Sequence, residues 1–224
     1  MSQPARLLVL CLLCASLAAH AATQRGITEK GDEVLLEDDG TWHYLKAPPE
    51  AAANAPVSVN AVRFTRAKDA IFPVRSSRNN AVVYIHPKKW TFSKSTKNGA
   101  AEFAFQSVDG DLYAMLITER ITIPLDTLGA AALNNMRKVA PDAELIKQEY
   151  RYVNDRKVLY MRMSATVQGI KLVYTGYYYS DEGGSTQLVA YTSQNLVQLR
   201  TAAIDEFLGG FMPTSAPAPV EAKP

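Results

Sequence analysis

His43, His86, the charged interruption at Glu119 and a crowd of tyrosines are the residues of this chain whose types could do chemistry. His43 lies in an alternating run after Asp39-Gly40, and His86 precedes Pro87 at the end of a short apolar run. A zinc site needs three or four ligands at recognisable spacing; neither histidine has such companions, and both read as strand residues. Glu119 breaks the apolar stretch Ile117-Thr118-Glu119-Arg120-Ile121 with charge. It becomes a catalytic carboxylate only if a second acid folds beside it, and otherwise reads as a solvent-facing or ion-paired residue. The chain has no Gly-x-Ser-x-Gly elbow and no glycine-rich phosphate loop. Asp109-Gly110-Asp111 and Glu37-Asp38-Asp39 do not continue into a calcium loop, so both read as turns. No spacing calls for a cofactor. The residues favour a protein that binds; the alternative is a metal-independent hydrolase using carboxylate and Tyr/Ser groups.

Two binding surfaces are candidates. Tyr174, Tyr177, Tyr178 and Tyr179 crowd one strand, with Tyr150, Tyr152, Tyr160 and Tyr191 on its expected neighbours. Alternation puts Tyr177 and Tyr179 on one face and Tyr174 and Tyr178 on the other. These rings either pack across strands or wall a ligand cleft, in which Tyr174 or Tyr178 would line the pocket. The second surface is electrostatic. Residues 57–100 hold nine basic side chains against the single acid Asp69, whereas residues 22–56 hold three bases and seven acids. Arg63, Arg66, Arg75, Arg78, Lys88 and Lys89 are the candidate contacts for an anionic envelope component or an envelope protein. The alternative is internal, with the acidic segment lying against the basic one. No nucleic-acid-binding motif is present.

The compartment is read from the N-terminus. Arg6, the apolar run Leu7–Leu17 and the small-residue pattern Ala19-His20-Ala21 make residues 1–21 a signal peptide. Cys11 and Cys14 fall inside it, so the exported chain is expected to carry no thiol and no disulfide. Leucine precedes each cysteine, unlike a lipoprotein signal, and no later stretch is apolar enough to span a bilayer. The expectation is a periplasmic or secreted bacterial protein without a transmembrane segment.

The elements that must position these residues follow from periodicity. Residues 22–45 form a small β-hairpin module around Asp38-Asp39-Gly40, residues 46–57 a linker, and residues 212–224 a disordered Pro/Ala-rich tail. Between them, residues 58–211 form one domain. Strands are expected at Val82–His86, Trp90–Lys94, Glu102–Val108 and Leu112–Ile121. A helix follows Pro124, with Leu125, Leu128, Ala132, Leu133, Met136 and Val139 on one stripe. Four strands then span Glu144 to Ser193. A second helix presents Leu196, Leu199, Ala203, Ile204, Phe207 and Leu208 before Gly209-Gly210 stops it. The expected class is α+β: an antiparallel sheet with two main helices packed on it, preceded by the hairpin.

Two resemblances add to this reading. The run Gly31 to Trp42, ending Asp39-Gly40-Thr41-Trp42, resembles the DGTW segments that follow signal peptides in small exported bacterial proteins, which implies a hairpin and no activity. The order of elements over residues 60–211 is similar to the PsbP-like α-β-α sandwich of a photosystem II extrinsic subunit and of envelope proteins such as DcrB. That resemblance implies a binding or assembly role without catalysis, and it transfers no ligand or site residue.

Overall fold

Residues 156–181, rich in Val, Leu, Met and Tyr and punctuated by Gln168-Gly169, form the two longest strands among the described residues. The computed structural model of the protein describes residues 24–27, 33–36, 42–44, 57–95 and 99–214, in two units that divide after Ala52. In the first unit β1 (Gln24–Ile27), β2 (Glu33–Leu36) and β3 (Trp42–Tyr44) pair antiparallel in that order. This is a three-stranded sheet, which corrects the expected hairpin. The leader, the residue 38–41 turn, residues 46–56 of the linker and residues 215–224 of the tail lie outside the described residues.

The second unit is built on one eight-stranded sheet. Its strands are β4 (Ser58–Phe64), β7 (Trp90–Lys94), β8 (Ala101–Ser107), β9 (Tyr113–Glu119), β10 (Glu144–Val153), β11 (Arg156–Val167), β12 (Ile170–Asp181) and β13 (Gly184–Ser193). Their spatial order is β4-β10-β11-β12-β13-β9-β8-β7. The expected antiparallel sheet is corrected to a mixed one, because β4 runs parallel to β10 through Glu149–Ser58 and Val153–Phe64. Sequence gave no sign of β4: Ser58, Asn60 and Arg63 break its apolar pattern, and most of the strand is exposed. A separate ribbon, β5 (Phe72–Arg75) with β6 (Val82–Ile85), was also half missed. Strand thus outweighs helix, and the expected sandwich of two helices on an antiparallel sheet does not hold as stated.

Local chemistry explains the central strands. Asn154 and Asp155 (φ 48° and 62°) turn β10 into β11, and Gln168 and Gly169 (φ 51° and 80°) turn β11 into β12. Two-residue turns with positive φ match the twist of the strands they join. Gly184 turns into β13 with φ 127°, and a Cβ there would meet the Glu119 carbonyl oxygen at 2.1 Å.

Each face of the sheet carries its own core. Leu159, Met161, Met163, Tyr174 and Tyr178 pack with Leu128, Ala132 and Leu133 of α1 (Leu125–Val139). Val158, Tyr160, Tyr177, Tyr179 and Leu188 pack on the other side with Ile204, Phe207 and Leu208 of α2 (Val197–Gly209) and with Val83 and Ile85 of the ribbon. Trp90 anchors β7 against Phe207, ring centroids 4.2 Å apart. Val139 and Leu199, expected on the apolar stripes, are each 72% exposed in terminal turns of their helices. After α2 the chain stays bound to β6: Met212 N–H donates to Val82 O (2.9 Å) and Thr214 N–H to Asn80 O (3.0 Å).

Candidate functional site

Helix α1 covers only part of its face of the sheet. It packs chiefly on β11 and β12, and the same face carries an open surface toward β9, β8 and β7. There a groove of about 440 Å³ is lined by Thr91, Ser93, Gln106, Ala104, Tyr113 and Tyr191, with Phe92, Lys94 and Ser95 along its outer edge. Tyr113 and Tyr191 are register partners on β9 and β13. Their rings stack at 5.6 Å, and Tyr191 stacks in turn on Tyr174 at 5.3 Å. The ladder therefore runs from the open groove into the core: Tyr113 is 37% exposed and Tyr174 only 6%. The Tyr113 hydroxyl donates to Gly110 O at 2.7 Å, which fixes the outermost ring. Burial pushes the Tyr174 hydroxyl up to about 12, with Tyr191 adding to it. Burial and then Tyr113 raise Tyr191 as well, so these walls stay uncharged at physiological pH. Stacked rings with polar neighbours can hold a flat or extended ligand; the lining offers no carboxylate and no histidine.

Of the tyrosines singled out from sequence, Tyr174 forms the base of this ladder and Tyr178 is wholly buried beneath α1. The basic candidates are not brought into one patch with it, and several hold internal partners. The Arg63 guanidinium lies over the Tyr152 ring at 4.0 Å, and that of Arg66 over Tyr84 at 4.4 Å while donating to Ala70 O at 2.8 Å. Lys89 reaches both carboxylate oxygens of Glu206 at 2.9 Å. Arg78 is exposed and donates to Ala100 O at 3.4 Å. Arg75 and Lys88 are exposed. Glu119 is exposed at the end of β9, away from the groove lining. His86 Nδ1 accepts the Lys88 N–H at 3.0 Å. Asp109 and Asp111 hold Arg200 of α2 at 2.9 and 2.6 Å, an ion-paired turn. Among the described residues no three His, Cys, Asp or Glu side chains gather as a metal site.

Sequence reading missed the two acids with the strongest environments. Glu102 is buried and accepts from Ser76 Oγ (2.6 Å), Thr118 Oγ1 (2.6 Å), Ser77 N–H (2.7 Å) and Ser77 Oγ (2.7 Å). Burial alone would raise its pKa, but these donors outweigh it and the carboxyl lies lower than usual. Glu149 accepts from Asn60 (3.0 Å) and Arg151 (2.7 Å) and pairs with Lys147 (3.0 Å). Burial opposes its charge, yet Asn60, Lys147 and Arg151 hold the carboxyl down to about 2. Both acids are structural anchors: Glu102 fastens the 76–80 loop to β8 and β9, and Glu149 fastens β4 to β10.

The same architecture occurs in the cyanobacterial PsbP protein (CyanoP) of Synechocystis sp. PCC 6803, with a TM-score of 0.51 over 70% of this chain and 98% of that one at 13% identity. The second unit has a PsbP-like fold. Weaker similarity links it to PA94 of Pseudomonas aeruginosa, a protein of unknown function and putative regulator (TM-score 0.43, 13% identity, 65% of this chain and 99% of that one). It also links to LpqN of Mycobacterium tuberculosis, described as involved in cell envelope biogenesis (TM-score 0.42, 13% identity, 64% and 90%). No family model and no curated protein matches the sequence. At this identity the PsbP-like likeness concerns the fold, and the groove must be argued from its own residues.

Proposed function

We propose that this protein is a binding or accessory module of the bacterial envelope, exported by its 1–21 leader and working in the periplasm or outside the cell without catalysis. The observation that carries the reading is the open groove with its stacked ladder Tyr113–Tyr191–Tyr174. Two partly open aromatic faces provide contact area at little cost in side-chain entropy, because each has few rotatable bonds. The Tyr191 hydroxyl, its pKa raised by burial and then by Tyr113, adds a neutral donor and acceptor to the lining. Among the lining residues Tyr113, Tyr191 and Lys94 are the ionisable groups, an arrangement suited to recognition. Arg75 and Lys88 add exposed positive charge that draws an anionic partner toward the unit. No helix among the described residues is long and apolar enough to cross a membrane.

The test is a comparative capture from the envelope fraction. Wild-type protein and Tyr113→Ala are immobilised and their retained components quantified by mass spectrometry. A component held by the wild type and lost from the variant supports the reading. Equal retention by both proteins overturns the groove as the binding site.

A further inference from the structure

Strand β7 borders the groove and is the last strand of the sheet, paired on one side only among the described residues. Its pairing with β8 fixes which backbone groups are engaged. Val108 N–H donates to Lys89 O and Ser95 N–H to Glu102 O, both at 2.9 Å. Antiparallel pairs alternate between bonded and non-bonded residues, so Lys89, Thr91, Ser93 and Ser95 direct their backbone groups to β8. Phe92 and Lys94 therefore direct their N–H and C=O groups away from the sheet. Residues 91–94 are all exposed. The edge also has two chemically different flanks. Thr91 and Ser93 line the groove side with Tyr113, while Phe92 meets Phe72 on the other side at 5.7 Å, both rings more than 40% exposed.

We infer that β7 is a strand-addition edge that receives an extended acidic polypeptide segment, whose alternate side chains enter the tyrosine groove and cover the Phe72–Phe92 patch. This deepens the groove-binding reading and rests on it. An added strand would satisfy the four outward backbone groups of Phe92 and Lys94 and gain specificity from alternate side chains. The charge argument selects the occupant. Lys88 precedes the strand and Lys94 closes it, both exposed, while Lys89 is held by Glu206. Positive charge along an edge works against pairing with a second copy of the same edge. The same charge favours a strand carrying Asp or Glu.

The test selects peptides from a random library displayed on phage against the wild-type chain, then measures their binding to three variants. In Lys94→Pro the outward donor is lost and a ring stands in the path of the incoming strand, while the bonds to β8 remain. Lys94→Glu keeps the backbone and reverses the charge, and Tyr113→Ala opens the groove. The expected peptides are acidic, alternate apolar residues, and lose about tenfold or more in affinity for Lys94→Pro. They also weaken on Lys94→Glu and with rising salt, and they slow hydrogen exchange of the Phe92 and Lys94 amides. Peptides that bind Lys94→Pro and Lys94→Glu as well as wild type, or a selection that enriches nothing, overturn strand addition. If peptides indifferent to position 94 still need Tyr113, the groove reading survives its refinement; if they need neither, it falls too.

Discussion

A buried carboxylate is retained where its hydrogen bonds outweigh its lost hydration, and Glu149 shows the balance most sharply. Its ordinary pKa of 4.5 falls to about 2 because Asn60, Lys147 and Arg151 all favour the anion. A depressed folded-state value means that the unfolded chain binds the proton more readily. The stabilisation is therefore fully present above pH ~4.5 and is lost as the pH falls toward about 2. Its size is on the order of 3 kcal/mol. Glu102, shifted in the same direction, adds to the same acid sensitivity. In Glu149→Gln the dependence of the denaturation midpoint on pH should flatten across this window, although the variant is less stable at neutral pH because Arg151 keeps a buried charge. Urea titrations of both proteins between neutrality and pH ~2 check this; equal slopes would refute the role given to Glu149. Neither acid was legible in the sequence. Glu102 draws Ser76 and Thr118 from other segments of the chain, and Glu149 needs Asn60 of β4 in addition to its strand neighbours Lys147 and Arg151.

At the scale of elements, legibility followed the range of the interactions. Strands β11 and β12 could be read because their apolar, tyrosine-rich runs are long and are bounded by the turn pairs Asn154-Asp155 and Gln168-Gly169. The stripe of α1 was readable for the same reason, apart from Val139. Strand β4 was not, since its partner β10 lies beyond the whole first half of the unit and its own residues are mostly exposed. The tyrosine groove was half legible. The crowd on β12 was visible, but the stacking of Tyr113 on Tyr191 depends on β9 pairing with β13 across α1 and three strands. A contact of equal weight joins α2 to β6. Gly210 follows the helix with φ −69°, so it has no conformational need for glycine. A Cβ there would stand 2.0 Å from the Tyr84 carbonyl oxygen, and Tyr84 N–H donates to Gly210 O at 2.8 Å. Gly210→Ala must therefore push the helix end off the ribbon, at a cost of roughly 1–3 kcal/mol or more. Gly99→Ala, with nothing within 4 Å of its Cβ, serves as the control. Thermal unfolding should separate the two; a Gly210→Ala midpoint equal to that of Gly99→Ala would contradict the close approach.

The whole molecule is two units of unequal burden. Both core clusters, on either face of the eight-stranded sheet, are drawn from residues of the second unit. The α1 face is apolar along β11 and β12 and gives way to the open tyrosine groove. The α2 face is closed by the β5–β6 ribbon and by the chain running on to Thr214. Stability of this unit is therefore expected to arise within it, since buried apolar area inside one core is the main favourable term. A chain trimmed to residues 53–224 should keep the wild-type denaturation midpoint, unfold in a single transition and bind the same partner through Tyr113. The m-value of that transition should stay the same as well, because the slope follows the area that the second unit exposes on unfolding. A trimmed chain that melts earlier, or that folds equally well but loses its partner, would place part of the stability or of the binding surface in the first fifty residues. Intact binding at an unchanged midpoint would assign both to the sheet that carries the groove.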